Sequence, residues 1–159
     1  EQRADVRLAP RAEVIALDTN LLVYGFLPGV REHAGARRAI ERASDDPRGW
    51  GVALSSIAEF WMAVTHPAAV GGPSPASAAR AFLDALLIEG PGTLWMPREP
   101  FWTRLVQLAV DLNVTGPRIF DLQIALTAFD NGATEIWTHD RDFVGFPGVR
   151  VHDPLSTLR

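Results

Sequence analysis

The sequence has 159 residues, enough for one compact domain, and 47% of them are hydrophobic. It contains neither cysteine nor lysine, which excludes disulfides, thiolate metal sites, a P-loop lysine and a lysine nucleophile. The net charge of −4 argues against a protein that binds nucleic acid over its whole surface, but is compatible with a local arginine patch. No apolar run is long enough to span a bilayer, so the sequence predicts a cytoplasmic protein without a membrane partner.

Short apolar runs alternate with helical patterns along the chain. The first half predicts a strand at Val14–Leu17, helices at 21–27 and 33–43, a strand at 50–54, a helix capped by Ser55 and Ser56, and a helix at Ala76–Leu87. The second half predicts a strand at 93–96, helices at 100–112 and 119–129, and strands at 135–138 and 149–151. The five Trp are interpreted as core residues.

This alternation predicts an α/β fold with a mainly parallel sheet of four to five strands flanked by helices. Residues 14–155 are predicted to form one domain, between a lead-in at 1–13 and a tail at 156–159. A parallel sheet places its ligand site beyond the carboxyl ends of its strands. Functional side chains are therefore expected at that edge.

Five acidic residues lie at positions that can reach this edge. Asp18 directly follows the first strand, and Asp140 and Asp142 follow the fourth. Glu59 lies in the first turns of the helix after the second strand, and Asp121 in the first turn of the helix before the fourth. Carboxylates are the ligands that Mg²⁺ prefers, and bound Mg²⁺ supports phosphodiester hydrolysis. The pattern indicates a metal-dependent nuclease site.

Each acid also has a structural explanation that the sequence leaves open. Asp18 alone is better explained as a helix N-cap, and Asp121 alone as a partner of the helix dipole. Asp140 and Asp142 are also typical turn residues. Glu59 is flanked by apolar residues, where an idle buried carboxylate would be costly. Only the combined placement of the acids favours a site.

Four neighbouring polar residues have supporting roles to fill. Asn20 is interpreted as a helix cap or as a group that orients Asp18. Thr138 either ends its strand without a further role or offers its hydroxyl to a metal-bound water. Arg118 and Arg141 flank acids of the proposed site, so they are candidate phosphate contacts, although such arginines are most often simply solvated.

Four segments resemble, in order, the acidic motifs of PIN-domain proteins. They are 15–24 (IALDTNLLVY), 55–60 (SSIAEF), 119–125 (IFDLQIA) and 138–143 (THDRDF). The ordered set spans nearly all of 14–155, and the chain length and closing segment are most similar to bacterial VapC toxins. The residues before Val14 are the one departure from the family pattern.

The resemblance implies a PIN-like three-layer sandwich and a Mg²⁺-dependent endoribonuclease, the toxin of a type II toxin–antitoxin pair, with Mn²⁺ able to substitute. It implies Asp18, Glu59, Asp121 and Asp140 as catalytic metal ligands. Asp142 also fits the end of the fourth motif, and we favour Asp140 because it is nearer the strand. The implied partners are a VapB-like antitoxin, a second copy of the chain and a transfer, ribosomal or messenger RNA.

An apolar groove between the early helices is the expected antitoxin site. Its candidate residues are Leu21, Leu22, Tyr24 and Phe26, which are otherwise explained as core.

The expected reaction is attack of a metal-activated water on a phosphodiester of single-stranded RNA, with one or two ions, leaving a 5′-phosphate and a 3′-hydroxyl. A metal-dependent DNA nuclease and a catalytically idle PIN-like binding module are the alternatives. The presence of all four acids counts against the idle module. A phosphotransfer protein resembling the receiver type would need a late lysine, which this chain lacks.

Overall fold

The computed structural model describes residues 13–156 of the chain. Nearly all of the predicted lead-in (1–12) and most of the predicted tail (157–159) lie outside the described residues. The strands are β1 (Val14–Leu17), β2 (Trp50–Ala53), β3 (Thr93–Trp95), β4 (Ala133–Trp137) and β5 (Arg150–His152). The helices are α1 (Thr19–Phe26), α2 (His33–Asp45), α3 (Leu54–Thr65), α4 (Ala76–Leu87), α5 (Phe101–Asp111) and α6 (Arg118–Asp130).

All five strands form one parallel sheet in the order β3-β2-β1-β4-β5. The central strand β1 is short and almost wholly apolar, as expected for a parallel strand covered on both faces. The chain builds outward from β1 to β3, then returns to the other side of β1 with β4. The strand order therefore reverses between β1 and β4, and such a switch point is where open α/β sheets bind ligands.

Alternate residues of β1 serve two separate cores. Ile15 and Leu17 pack with residues of helices α1 to α4, whereas Ala16 packs with residues of α5 and α6. The sheet thus lies between two helical layers, which confirms the predicted three-layer α/β sandwich. No helix among residues 13–156 is long and apolar enough to cross a bilayer.

Three sequence expectations are wrong in detail. Helix α3 begins at Leu54, with Ala53 as its N-cap residue and no side-chain cap, so Ser55 and Ser56 lie inside the first turn instead of capping it. The apolar run of β2 continues directly into the helix, leaving no room for a separate cap.

Two of the five Trp, Trp61 on α3 and Trp102 on α5, are not core residues because each lies on a side of its helix that is exposed to solvent. Trp102 is 69% exposed and Trp61 is 38% exposed.

The predicted apolar groove between the early helices is also wrong. Leu21 and Leu22 are fully buried in the core, and Phe26 packs on Phe60 and Phe82. Of the four residues named for the groove, Tyr24 lines an open surface, and that surface is the acidic cleft. The helix α1 is short and packs against both α2 and α3, so its apolar residues are used internally.

Candidate metal centre

The four principal acids lie together in one cleft at the switch point between β1 and β4. The cleft has a volume of about 480 Å³. Its lining residues are Asp18, Thr19, Asn20, Val23, Tyr24, Glu59, Met62, Ala63, Phe120, Asp121 and Asp140. Residues up to 122 positions apart in sequence therefore share one surface, because parallel strands and the adjoining helix starts meet at one edge.

Asp18 is both a helix cap and a member of this acidic cluster. One carboxylate oxygen accepts a hydrogen bond from the Thr19 backbone N–H at 2.7 Å, and the other accepts one from the Thr138 hydroxyl at 2.7 Å. Burial raises the pKa of Asp18 to about 6, although these two hydrogen bonds favour the charged form. The negative charges of Asp121 and Glu59 account for smaller parts of this rise. A positive ion in the cleft would relieve both effects.

Glu59 projects into the cleft from α3. Its Oε2 accepts a hydrogen bond from the Thr19 hydroxyl at 2.9 Å, but its buried Oε1 has no hydrogen-bond partner among the described residues. Burial, followed by the negative charge of Asp121, raises the pKa of Glu59. A buried carboxylate oxygen without a donor is costly, so this atom points to a cation or a water as its partner.

Asp121 lies in the first turn of α6. Burial raises its pKa, and the nearby charge of Asp140 adds to the shift. Arg118 opposes the shift, because its guanidinium nitrogen Nη1 donates to Asp121 Oδ2 at 3.2 Å. The same nitrogen lies 3.5 Å from Asp140 Oδ2. Arg118, which the sequence suggested as a phosphate contact, is thus paired with the acids in this structure.

Thr138 connects the two strand ends. Its hydroxyl donates to Asp18 and accepts hydrogen bonds from the Asn20 side chain at 3.1 Å and from the Asp140 backbone N–H at 3.0 Å. The single hydroxyl hydrogen is therefore used on Asp18, not on a bound water. Asn20 lies inside α1, and Asp18 is the N-cap residue, so the interpretation of Asn20 as a helix cap is wrong. Asn20 instead contacts Asp18 indirectly, through the Thr138 hydroxyl.

Asp140 and Asp142 differ in their relation to the cleft. Asp140 lines the cleft, whereas Asp142 does not, and the Asp142 side chain is 79% exposed compared with 41% for Asp140. This favours Asp140 as the fourth ligand, as the sequence suggested. Arg141 is exposed and is not among the lining residues.

Thr19, Tyr24 and His139 were missed by sequence reasoning. Thr19 joins Asp18 to Glu59, and its position between Asp18 and Asn20 in the first motif was an available signal. The His139 ring packs edge-on to Tyr24, and its Nδ1 lies 3.0 Å from Asp153 Oδ2. No sequence signal could place Asp153 beside the fourth motif, because this contact depends on how the chain returns after β5.

The donor set suits a hard divalent cation. Its oxygens come from four carboxylates, three of them with raised pKa values, and one buried oxygen has no donor. Within residues 13–156, however, no three His, Cys, Asp or Glu side chains already have the arrangement of a formed metal shell. The carboxylates instead accept hydrogen bonds from Thr19, Thr138 and Arg118.

Comparison with known proteins supports the same fold. The family model described as PIN domain matches residues 15–148. Ribonuclease VapC43 of Mycobacterium tuberculosis is 33% identical over 143 residues, which are 90% of this chain and 97% of that protein. Ribonuclease VapC48 of the same species is 27% identical, covering 87% of this chain and 96% of that protein.

Solved structures of low sequence identity share the fold. Mycobacterium tuberculosis VapC20, described as a sarcin-ricin loop cleaving toxin, has a TM-score of 0.65 at 17% identity and covers 86% of this chain and 98% of its own. VapBC2 from Rickettsia felis, bound to a DNA fragment from its promoter, has a TM-score of 0.62 at 16% identity, with 87% and 97% coverage.

Proposed function

The chain belongs to the PIN domain family and, within it, to the VapC ribonucleases, and we propose that its acidic cleft is a Mg²⁺ site that hydrolyses RNA internally. Mn²⁺ is the expected substitute. The single observation that carries this proposal is the convergence of Asp18, Glu59, Asp121 and Asp140 in one cleft. Three of these acids have pKa values raised mainly by burial and further by neighbouring acids, and a bound cation would stabilise their charged forms.

Bound Mg²⁺ supplies activation of water and neutralisation of the charge that develops on the phosphodiester. Asp18, Glu59, Asp121 and Asp140 would hold one or two ions. Thr138 and the Thr19 backbone fix both oxygens of Asp18, so Asp18 is a rigid ligand. Glu59 Oε1, which has no donor among the described residues, would accept the proton of the attacking water.

The reaction forms one bond and breaks one bond at phosphorus. The water oxygen bonds to the phosphorus, and the bond from phosphorus to the 3′ oxygen breaks. The 3′ oxygen takes a proton from solvent water and leaves as a 3′-hydroxyl, and the other fragment carries a 5′-phosphate. Glu59 returns its proton to solvent after the products leave.

The partners in this proposal come from the relatives. One neighbour of known structure is a VapBC complex and another is FitAB, each solved with DNA. We extend this to a VapB-like antitoxin for the present chain, a homodimeric assembly, and a transfer, ribosomal or messenger RNA substrate. Exposed apolar side chains beside the cleft, Trp61, Met62 and Phe120, support a partner surface there.

The decisive experiment is 5′-end sequencing of total bacterial RNA incubated with the protein and Mg²⁺. Parallel reactions contain EDTA or the Asp18→Asn variant. New 5′-phosphate ends that disappear in both controls are the expected result, and their positions identify the RNA. Ends that persist with Asp18→Asn would show a contaminating nuclease. Cleavage of single-stranded DNA but not RNA by the same preparation would replace the proposal with a DNA nuclease.

A further inference from the structure

Arg118 has an unusual set of partners for the first residue of a helix. Its Nη1 lies 3.2 Å from Asp121 Oδ2 and 3.5 Å from Asp140 Oδ2, and its Nη2 lies 3.6 Å from Asp142 Oδ2. Nη1 also donates to the backbone carbonyl of Asp142. One guanidinium therefore serves three carboxylates from two separate segments, the start of α6 and the loop after β4.

The local helix does not explain this placement. A positive charge at the start of α6 opposes the helix dipole, which favours negative charge at that end. The acids must therefore supply the attraction that holds the guanidinium there. The Arg118 side chain is 40% exposed, so its long aliphatic stem has an open route to solvent.

The acids of the cleft fall into two halves with different partners. Within residues 13–156, Asp18 and Glu59 accept hydrogen bonds from neutral groups only, namely the Thr19 backbone, the Thr19 hydroxyl and the Thr138 hydroxyl. Asp121 and Asp140 instead share a cation that belongs to the chain. Arg118 contacts Oδ2 of both Asp121 and Asp140, so a divalent ion held by all four acids would lie close to the guanidinium, and the two positive charges would repel.

We propose that Arg118 is an internal counter-ion of the metal site, which leaves Asp121 and Asp140 when the metal binds and then contacts an RNA phosphate. This inference rests on the proposed metal-dependent ribonuclease function. The planar guanidinium suits the second task, since it binds phosphate oxygens through paired hydrogen bonds. Metal binding and RNA binding are then coupled, because the ion that enters the cleft releases the side chain that holds the substrate.

The test compares Mn²⁺ binding and RNA binding in the same variants, because the proposal predicts opposite changes. Mn²⁺ is titrated calorimetrically into the full chain after removal of metal with EDTA. Arg118→Gln is expected to bind Mn²⁺ at least about fivefold more tightly than the unaltered protein, the lower end of typical coupling between two sites. Arg118→Lys keeps the charge but cannot bridge the acids in the same way. Its affinity for Mn²⁺ should therefore lie between those of the unaltered protein and Arg118→Gln.

RNA binding is measured by fluorescence anisotropy with a labelled single-stranded RNA in Ca²⁺, after a gel has shown that the RNA stays intact. Arg118→Gln should bind more weakly, and its slope of log affinity against log salt should be smaller by about 0.7, as for one lost phosphate contact. The matched control is Arg80→Gln, which removes an exposed charge paired with Asp84 on α4. Arg80→Gln should change neither the Mn²⁺ affinity nor the RNA affinity by more than about twofold.

Unchanged or weaker Mn²⁺ binding by Arg118→Gln, in a protein that still cleaves RNA, would overturn the counter-ion role and leave the proposed function standing. Tighter Mn²⁺ binding with unaltered RNA affinity would overturn the phosphate role. If neither the unaltered protein nor Arg118→Gln binds Mn²⁺, the metal site itself is wrong and both proposals fail. Should Arg118→Gln fail to fold, Arg118→Lys still tests the predicted order of affinities.

Discussion

Asp18 and Glu135 are two buried carboxylates near the centre of the same sheet. They differ in whether their hydrogen-bond donors carry a positive charge. Glu135, in β4, accepts hydrogen bonds from Arg48 at 3.1 Å, from Arg150 at 2.6 Å and from the Trp137 indole at 2.9 Å. Burial alone would raise its pKa, but these donors outweigh burial and hold the pKa of Glu135 below its usual value. Burial of Asp18, which has neutral donors only, raises its pKa to about 6.

The difference shows that burial of an acid does not by itself mark a functional residue. At Glu135 the chain supplies two guanidinium groups, so the charge is balanced within the fold. At Asp18 the charges that act on the carboxylate are those of two other acids, Asp121 and Glu59, as the proposed cation site would require. The partner set of a buried carboxylate therefore separates a structural ion pair from a cation site.

The largest expected effect is on cleavage, and it tests the comparison directly. Asp18→Asn should lower metal-dependent RNA cleavage by more than about 100-fold, the upper limit for loss of a merely supporting partner of a metal site. Glu135→Gln should change the rate by less than about twofold under conditions where it is fully folded, since it lies outside the cleft. Initial rates on one defined RNA measure both. An equal loss in both variants would remove the distinction between the two acids.

A second pair of substitutions tests whether Asp140 or Asp142 is the fourth acid of the site. Asp140→Asn should lower cleavage by about 10-fold to 100-fold because it removes an oxygen that lines the cleft. Asp142→Asn should have an effect below about fivefold, since that side chain is mostly exposed. The measurement is cleavage rate against Mg²⁺ concentration. A larger loss with Asp142→Asn would exchange the roles of the two residues.

Stability should respond in the opposite order to cleavage. Glu135→Gln should lower the free energy of unfolding by about 1 to 2 kcal/mol, because charged hydrogen bonds are lost but both arginines keep contact with solvent. Asp18→Asn removes a charge that the metal-free fold disfavours, so unfolding in urea with EDTA should show no loss. Destabilisation by Asp18→Asn as large as that by Glu135→Gln would contradict the assigned pKa directions.

The two acids should also differ in how their contributions to stability depend on pH. The raised pKa of Asp18 means that its contribution is fully present below about pH 4 and is lost as pH rises through about 6. The lowered pKa of Glu135 gives a contribution that is present above its unfolded-state pKa and is lost as pH falls. Both contributions are measured by urea unfolding in EDTA between about pH 4 and about pH 7. Each is the free energy of unfolding of the unaltered protein minus that of the Asp18→Asn or Glu135→Gln variant.

The Asp18 difference should fall by about 2 kcal/mol over this range, whereas the Glu135 difference should be larger at the upper end than at the lower. Added Mn²⁺ should abolish the Asp18 trend, because the bound cation favours the ionised carboxylate. Parallel slopes for the two variants in EDTA would show that the two acids have the same electrostatic setting.

The sequence by itself determined the elements of the fold and the residue types of the site. Short apolar runs predicted the strands, and prolines and glycines bounded helices such as α4 at Ala76–Leu87. The acids at strand ends and helix starts predicted a common edge, because these positions follow from local periodicity and from the geometry of a parallel sheet. Local sequence is sufficient where each residue's role depends on its neighbours in the chain.

Only the tertiary structure decided the partners of each side chain. The strand order places β4 beside β1, and this brings the Thr138 hydroxyl to Asp18 across 120 positions of sequence. It likewise sets Arg118 on Asp140 and buries Leu21 and Leu22, which local pattern had left free for a partner. Such pairings depend on strand order and on how side chains pack between distant segments, and no single stretch of sequence encodes either.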